Sequence, residues 1–155
     1  MKKIHCYLFL FALLLFSACT KKQQEAIAGS MDADISSDAP FSAIGTSNVV
    51  AQLDPSPTLP GKTQLTITGS QGNRTLTVAI IDYDENNPLG TYNFNGNTKK
   101  AIGGYNNGGT GGDDIIVSGT LALTLTAAGH LTQGTFSGTT QQGKQITNGS
   151  FSATY

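Results

Sequence analysis

Apolar and polar residues alternate with period two along most of the chain after Phe41. Leu65 and Ile67 alternate with Thr66 and Thr68, and Leu76, Val78 and Ile80 alternate with Thr77 and Ala79. Ile115, Val117, Gly119, Leu121, Leu123 and Leu125 hold the period for eleven residues. Successive side chains of a strand point to opposite faces, so this pattern predicts a sheet with one buried and one wet face. No segment beyond the first apolar run keeps a 3.6-residue period, which predicts no long helix. Turn residues separate the runs: Pro55, Pro57 and Pro60 with Gly61, then Gln71-Gly72-Asn73, Asn86-Asn87-Pro88, Asn95-Gly96, Asn106 to Gly112, Ala128-Gly129 and Gln142-Gly143. Asn95-Gly96 tolerates positive φ at both positions and predicts a hairpin.

The expected fold is therefore all-β, with about eight antiparallel strands. They cover 41–53 (with a break), 62–69, 73–82, 90–94, 99–105, 114–127, 130–139 and 143–154. Short loops imply up-and-down order, either as a sandwich or as a small barrel. Asn148-Gly149 separates two parities, Ile146 on one side and Phe151, Ala153 and Tyr155 on the other, and predicts a bulge.

The first forty residues read differently. Met1-Lys2-Lys3 is followed by an apolar run from Tyr7 to Phe16, then Ser17, Ala18 and Cys19. The run is about half the length a membrane-spanning helix needs. Charge, short apolar stretch and small residues in that order describe a secretion signal over 1–18. Small residues before a Cys resemble the lipobox of bacterial lipoproteins, although Phe16 stands where Leu is commoner. The resemblance implies a diacylglycerol on Cys19 and a chain held to the outer membrane. Cys6 leaves with the signal, so Cys19 is the last thiol and has no disulfide partner. Residues 20–40 are polar and small, without periodicity, and read as a flexible tether from the lipidated Cys19 to a domain over 41–155.

Composition narrows the function. The 137 residues after the signal carry seven Lys and Arg against ten Asp and Glu, a balance of −3. No basic patch offers a footprint for nucleic acid. The chain has no Trp, and His130 is the single His after the signal. A Ser–His–Asp hydrolase would have to use His130, and no G-x-S-x-G turn accompanies it. Residues 41–155 hold 18 Gly and 19 Thr, which favours strands and turns.

Phe41-Ser42-Ala43, Leu65-Thr66-Ile67-Thr68-Gly69, Gly90-Thr91-Tyr92, Gly134-Thr135-Phe136-Ser137 and Ile146-Thr147-Asn148-Gly149-Ser150-Phe151, with the lipoprotein start, resemble an uncharacterised all-β lipoprotein family of Bacteroidota, a domain of unknown function. The likeness runs over roughly 41–155 and departs from the family pattern after Ala43. It implies an all-β envelope lipoprotein and carries no catalytic residue. Lys21 and Lys22, rather than acidic residues, follow the Cys and weigh toward a periplasm-facing position over the cell surface.

Three segments hold candidate chemistry. Asp82, Asp84 and Asn86 have the spacing that opens an EF-hand loop and form the candidate metal site. Asn87 and Asn93 stand where that loop needs Gly and Glu, so a solvated acidic loop competes with it. Gly108 to Ile116 matches one copy of a calcium nonapeptide that works by stacking copies, so a flexible loop is the stronger reading. Tyr83, Tyr92, Phe94 and Tyr105 could stack on a sugar or pack in the core. The expectation is a lipid-anchored protein with no enzymatic activity and no cofactor, which binds or scaffolds an envelope protein partner. The alternative is a carrier of a small ligand or carbohydrate.

Overall fold

The computed structural model describes residues 29–57, 59–97, 99–127 and 130–155. The chain is all-β. Ten strands form one sheet: β1 (Ser30–Ile35), β2 (Phe41–Ile44), β3 (Val49–Pro55), β4 (Thr63–Gln71), β5 (Arg74–Tyr83), β6 (Gly90–Phe94), β7 (Lys100–Asn106), β8 (Asp114–Ala127), β9 (Leu131–Thr140) and β10 (Gln145–Thr154). The expected run over 41–53 is broken into β2 and β3. The other expected strands lie within two residues of their places.

β1 corrects the expected tether. Met31, Ala33 and Ile35 are buried, while Asp34 between the last two is exposed. β1 pairs with β10 on one side and with β2 on the other. Residues 29–40 thus belong to the domain, because three alternating apolar side chains suffice when both neighbouring strands complete the ladder. Residues 19–28, the rest of the expected tether, lie outside the described residues.

The strands run in the order β2-β1-β10-β9-β8-β6-β7-β5-β4-β3. The two edge strands, β2 and β3, are consecutive in the chain and are joined by the corner 45–48. Asn48 accepts a hydrogen bond from the Ser70 amide after a tight turn at Gly45, φ +100°. The sheet is therefore rolled until its ends lie against each other. At that seam Gly69 of β4 faces Met31 and Phe41, and a Cβ there would stand 2.8 Å from the Met31 sulfur.

Asn95-Gly96 turns the chain but does not make a hairpin. β6 and β7 are parallel and overlap at only two positions, Asn93 with Lys100 and Phe94 with Ala101. Both lie along β8, which pairs with β6 over Thr120–Leu123 and with β7 at Asp114 and Ile115. The loop after β6 is thus a sidestep within one rising path, where pure up-and-down order was expected.

The roll encloses one apolar core. On β4 and β5, Leu65, Ile67, Leu76, Val78 and Ile80 are fully buried, with Leu65 opposite Ile80 and Ile67 opposite Val78. Burial of each Leu or Ile contributes roughly 1.5–3 kcal/mol. The long alternation on β8 changes phase. Register slips between Ile116 and Ser118, so Ile115 and Val117 face outward while Ile116, Leu121 and Leu123 face the core. Gly119, at φ +122° and with a Ser137 carbonyl where a Cβ would sit, lets the strand bend there. The bulge expected at Asn148-Gly149 is present, with Asn148 at φ 52° and the register shifting between Ile146 and Gly149.

Candidate functional site

One end of the roll carries a polar cleft. Strand register places Tyr105 of β7 opposite Asp114, the first residue of β8. The glycine-rich loop 107–113 between them arches over the sheet end. Its own side chains shape it: Asn106 Oδ1 accepts from the Gly108 amide at 2.8 Å, and Asn107 Oδ1 from the Gly109 amide at 3.0 Å. Asn106 Nδ2 donates to Asp113 Oδ1 at 3.0 Å. These local bonds are the ones Asn and Asp side chains make in turns.

The β9–β10 turn approaches from the other side. The Gln142 amide donates to Asp114 Oδ1 at 3.0 Å, and the Lys144 amide donates to Thr140 Oγ1 at 3.0 Å. The Lys144 ammonium lies 5.4 Å from the Tyr105 ring centre and pairs with Asp38 from the β1–β2 loop. Arg74 stands over Tyr105 and Phe41, 5.6 Å from each ring centre. Its Nε donates to Tyr105 Oη at 3.0 Å, and its terminal nitrogens donate to the carbonyls of Ala39 and Pro40. Two cations on one partly enclosed ring contribute roughly 0.5–2 kcal/mol each. The hydrogen bond from Lys144 holds the Asp38 carboxyl below the usual carboxylate range.

The cleft has a volume of about 260 Å³ between the loop glycines, Thr110, Gln142 and Lys144. Asp114 lines it and is 5 % exposed. Its Oδ1 is satisfied by Gln142, whereas Oδ2 is buried and receives no hydrogen bond. Asp114 escaped sequence reading because it looked like the end of the loop. The alternation read through Ile115 and Val117 puts Asp114 on the wet face, and only the bulge after Ile116 turns it inward.

A second concavity, of about 420 Å³, lies on the outer face of β4, β5, β7 and β8. Ala79, Ile102 and Ile115 give it an apolar floor among Thr66, Thr75 and Thr77. Gly104 adds no side chain to it, whereas a Cβ on Gly103 would point inward at Ile116 and Phe94. Ile102 is 40 % and Ile115 54 % exposed.

The residues singled out by sequence lie elsewhere. Cys19 is outside the described residues. Asp82 Oδ1 stands 3.3 Å from the Lys62 ammonium, and Asp84 Oδ1 accepts from the Asn86 amide at 2.9 Å. Asp82, Asp84 and Asn86 therefore form an Asx turn beside an exposed ion pair. Among the described residues no group of three or more His, Cys, Asp or Glu side chains is arranged to hold a metal. His130 is exposed at φ 60°, its ring 5.0 Å from that of Tyr155. Tyr83, Tyr92 and Phe94 are buried core residues and present no stacking platform, while Tyr105, also buried, borders the polar cleft. Burial pushes the Tyr83 and Tyr92 hydroxyls up from their ordinary range.

No helix among the described residues is long and apolar enough to cross a membrane. Comparison with known proteins gives no match: no family model, no curated protein and no solved structure corresponds to this chain.

Proposed function

We propose that this chain is a lipid-anchored protein of the bacterial envelope, held by Cys19, whose rolled sheet binds or scaffolds an envelope protein partner without catalysis. The anchor reading rests on the charged start, the short apolar run and the small residues before Cys19. The resemblance to all-β lipoproteins of Bacteroidota agrees with it, as does an outer-membrane address.

The observation that carries the partner reading is the outer groove. Two aliphatic side chains of the groove, Ile102 and Ile115, stand 40 % and 54 % exposed among threonines, and Val117, two residues further along β8, is 39 % exposed. Apolar groups gathered in a polar rim favour contact with another surface. A ligand carried inside the roll would instead need room there, and the inward side chains from all ten strands pack into one core. The half-closed barrel is thus a rigid support for its outer face.

The test has two parts. Palmitate labelling in a lipoprotein-processing host is expected to mark the chain and to be lost in Cys19→Ser. A photo-crosslinking residue at position 102 is expected to give one discrete protein adduct in native envelopes. That adduct should disappear with Ile115→Lys and be absent when the crosslinker sits at Thr139. Equal adducts from both positions, or none, refute the partner reading.

A further inference from the structure

We propose that the cleft beneath the 107–113 loop binds a neutral, polyhydroxylated ligand of sugar-ring size, one hydroxyl of which donates to Asp114 Oδ2. This site is separate from the outer groove and does not depend on it.

Asp114 carries the argument. A buried carboxylate needs donors on both oxygens, because water no longer supplies them. The Gln142 amide serves Oδ1, and Oδ2 receives nothing within the chain. The side chain is 5 % exposed and forms part of the cleft wall. On this cleft wall Oδ2 is the acceptor left without a donor, and a small turn of the carboxylate toward the cleft brings it out of its buried position to meet a ligand hydroxyl.

Charge selects the ligand class. Lys144 also lines the cleft, but Asp38 already neutralises it. Arg74 does not line the cleft, so an anion there would meet Asp114 with no unpaired cation among the lining residues. A divalent cation takes six to eight oxygens for calcium and would stand beside the Lys144 ammonium. The described residues offer no cluster of that kind. A neutral ligand with several hydroxyls meets neither objection. It finds the Thr110 hydroxyl and the Gln142 carboxamide on the same cleft. At about 260 Å³ the space falls below the roughly 300–1,000 Å³ that takes drug-sized molecules, which sets the scale at one ring.

The position is also open to solution. β1 runs from Ser30 to Ile35, and Asp38 just beyond it meets Lys144 at the cleft. A six-residue strand, roughly 20 Å long, thus separates the cleft from the point where the chain enters the sheet.

The test uses the intact lipidated chain in detergent micelles. Calorimetric titrations are run with glucose, mannose, xylose and N-acetylglucosamine, with their disaccharides, and separately with calcium alone. At least one sugar is expected to saturate a single site. Asp114→Asn should weaken it about tenfold or more through loss of a charge-assisted bond. Thr110→Val, at an exposed loop position, should weaken it severalfold with an unchanged melting midpoint. The proposal is overturned if no sugar in the panel saturates. It also falls if both variants bind as tightly as wild type, or if calcium alone fills the site.

Discussion

Lys144, on the β9–β10 turn, grips Asp38, 106 positions earlier in the loop between β1 and β2. That pair is partly enclosed, with side chains 19 % and 23 % exposed, and it closes the N-terminal strands onto the C-terminal ones. Asp38 is held below the usual carboxylate range in the fold, chiefly by this hydrogen bond. Its contribution to stability is therefore present above the unfolded-state pKa, near 4, and is lost as pH falls through the lower folded-state value. Asp38→Asn is expected to lower stability by about 1 kcal/mol at neutral pH, the upper end for a surface pair. The gap between wild type and variant should close below about pH 4. Urea midpoints at both pH values check it, and a gap that persists in acid removes the ion pair as the cause.

The strand before Asp38 is part of the folded unit. Met31 is fully buried at the seam against Gly69, and β1 hydrogen-bonds to β2 and β10. A chain starting at Gly29 is expected to unfold cooperatively. One starting at Phe41 should lose that transition, since β10 and β2 each lose a neighbour. Met31→Ala should cost about 2–5 kcal/mol as a core truncation. Protease should leave 30–44 intact in the folded protein, and early cleavage within that stretch would restore the tether reading.

The strands from Phe41 onward were legible because long Thr–aliphatic alternation survives any packing partner. β1 was harder to see. Ser30-Met31-Asp32-Ala33-Asp34-Ile35 does alternate, but Ala33 is small and the flanking acids suggest a solvated linker. The pairings with β2 and with β10, the latter more than a hundred residues later, make it a strand. The phase change on β8 was hidden for a related reason. Ile115, Ile116 and Val117 are all apolar, so periodicity alone allowed either parity, and the bulge chose Ile116. The cleft was least legible. Asp114 matters because Gln142 and Lys144 arrive from another turn, and no local spacing announces that meeting.

Two glycine–phenylalanine pairs lock β9 to β10. Gly134 lies opposite Phe151, and Gly149 opposite Phe136. A Cβ on Gly134 would stand 2.6 Å from the Phe151 ring and 2.5 Å from the Ala122 carbonyl. One on Gly149 would stand 2.6 Å from the Phe136 ring and 2.5 Å from its carbonyl. The backbone atoms cannot step aside, so Gly134→Ala and Gly149→Ala are each expected to cost about 3 kcal/mol, the high end of overpacking. Gly69→Ala meets mainly the flexible Met31 side chain and the edge of the Phe41 ring, and should cost less, about 1–2 kcal/mol. Thermal midpoints of the three variants give the ranking. A Gly69→Ala loss equal to the other two would mean that the seam is as rigid as the strand pairs.

At the opposite end of the roll from the cleft, Tyr83 closes against Tyr155, hydroxyl to hydroxyl at 2.9 Å with the rings edge to face. Burial is the main cause that raises the Tyr83 pKa, and the bond to Tyr155 adds to it. The neutral hydroxyl is thus favoured by folding. Its stabilising contribution is complete below the unfolded-state value, near 10, and disappears as pH rises through the higher folded-state value. Alkaline titration should therefore show the Tyr83 and Tyr92 phenolates appearing only above the ordinary range, together with unfolding. Tyr83→Phe keeps the ring packing and removes the hydroxyl pair, at a cost of about 1 kcal/mol near neutrality. It should also flatten the fall in stability above about pH 10, because one group that must ionise on unfolding is gone. An unchanged alkaline slope in Tyr83→Phe would assign that loss to Tyr92 or to the whole-chain charge instead.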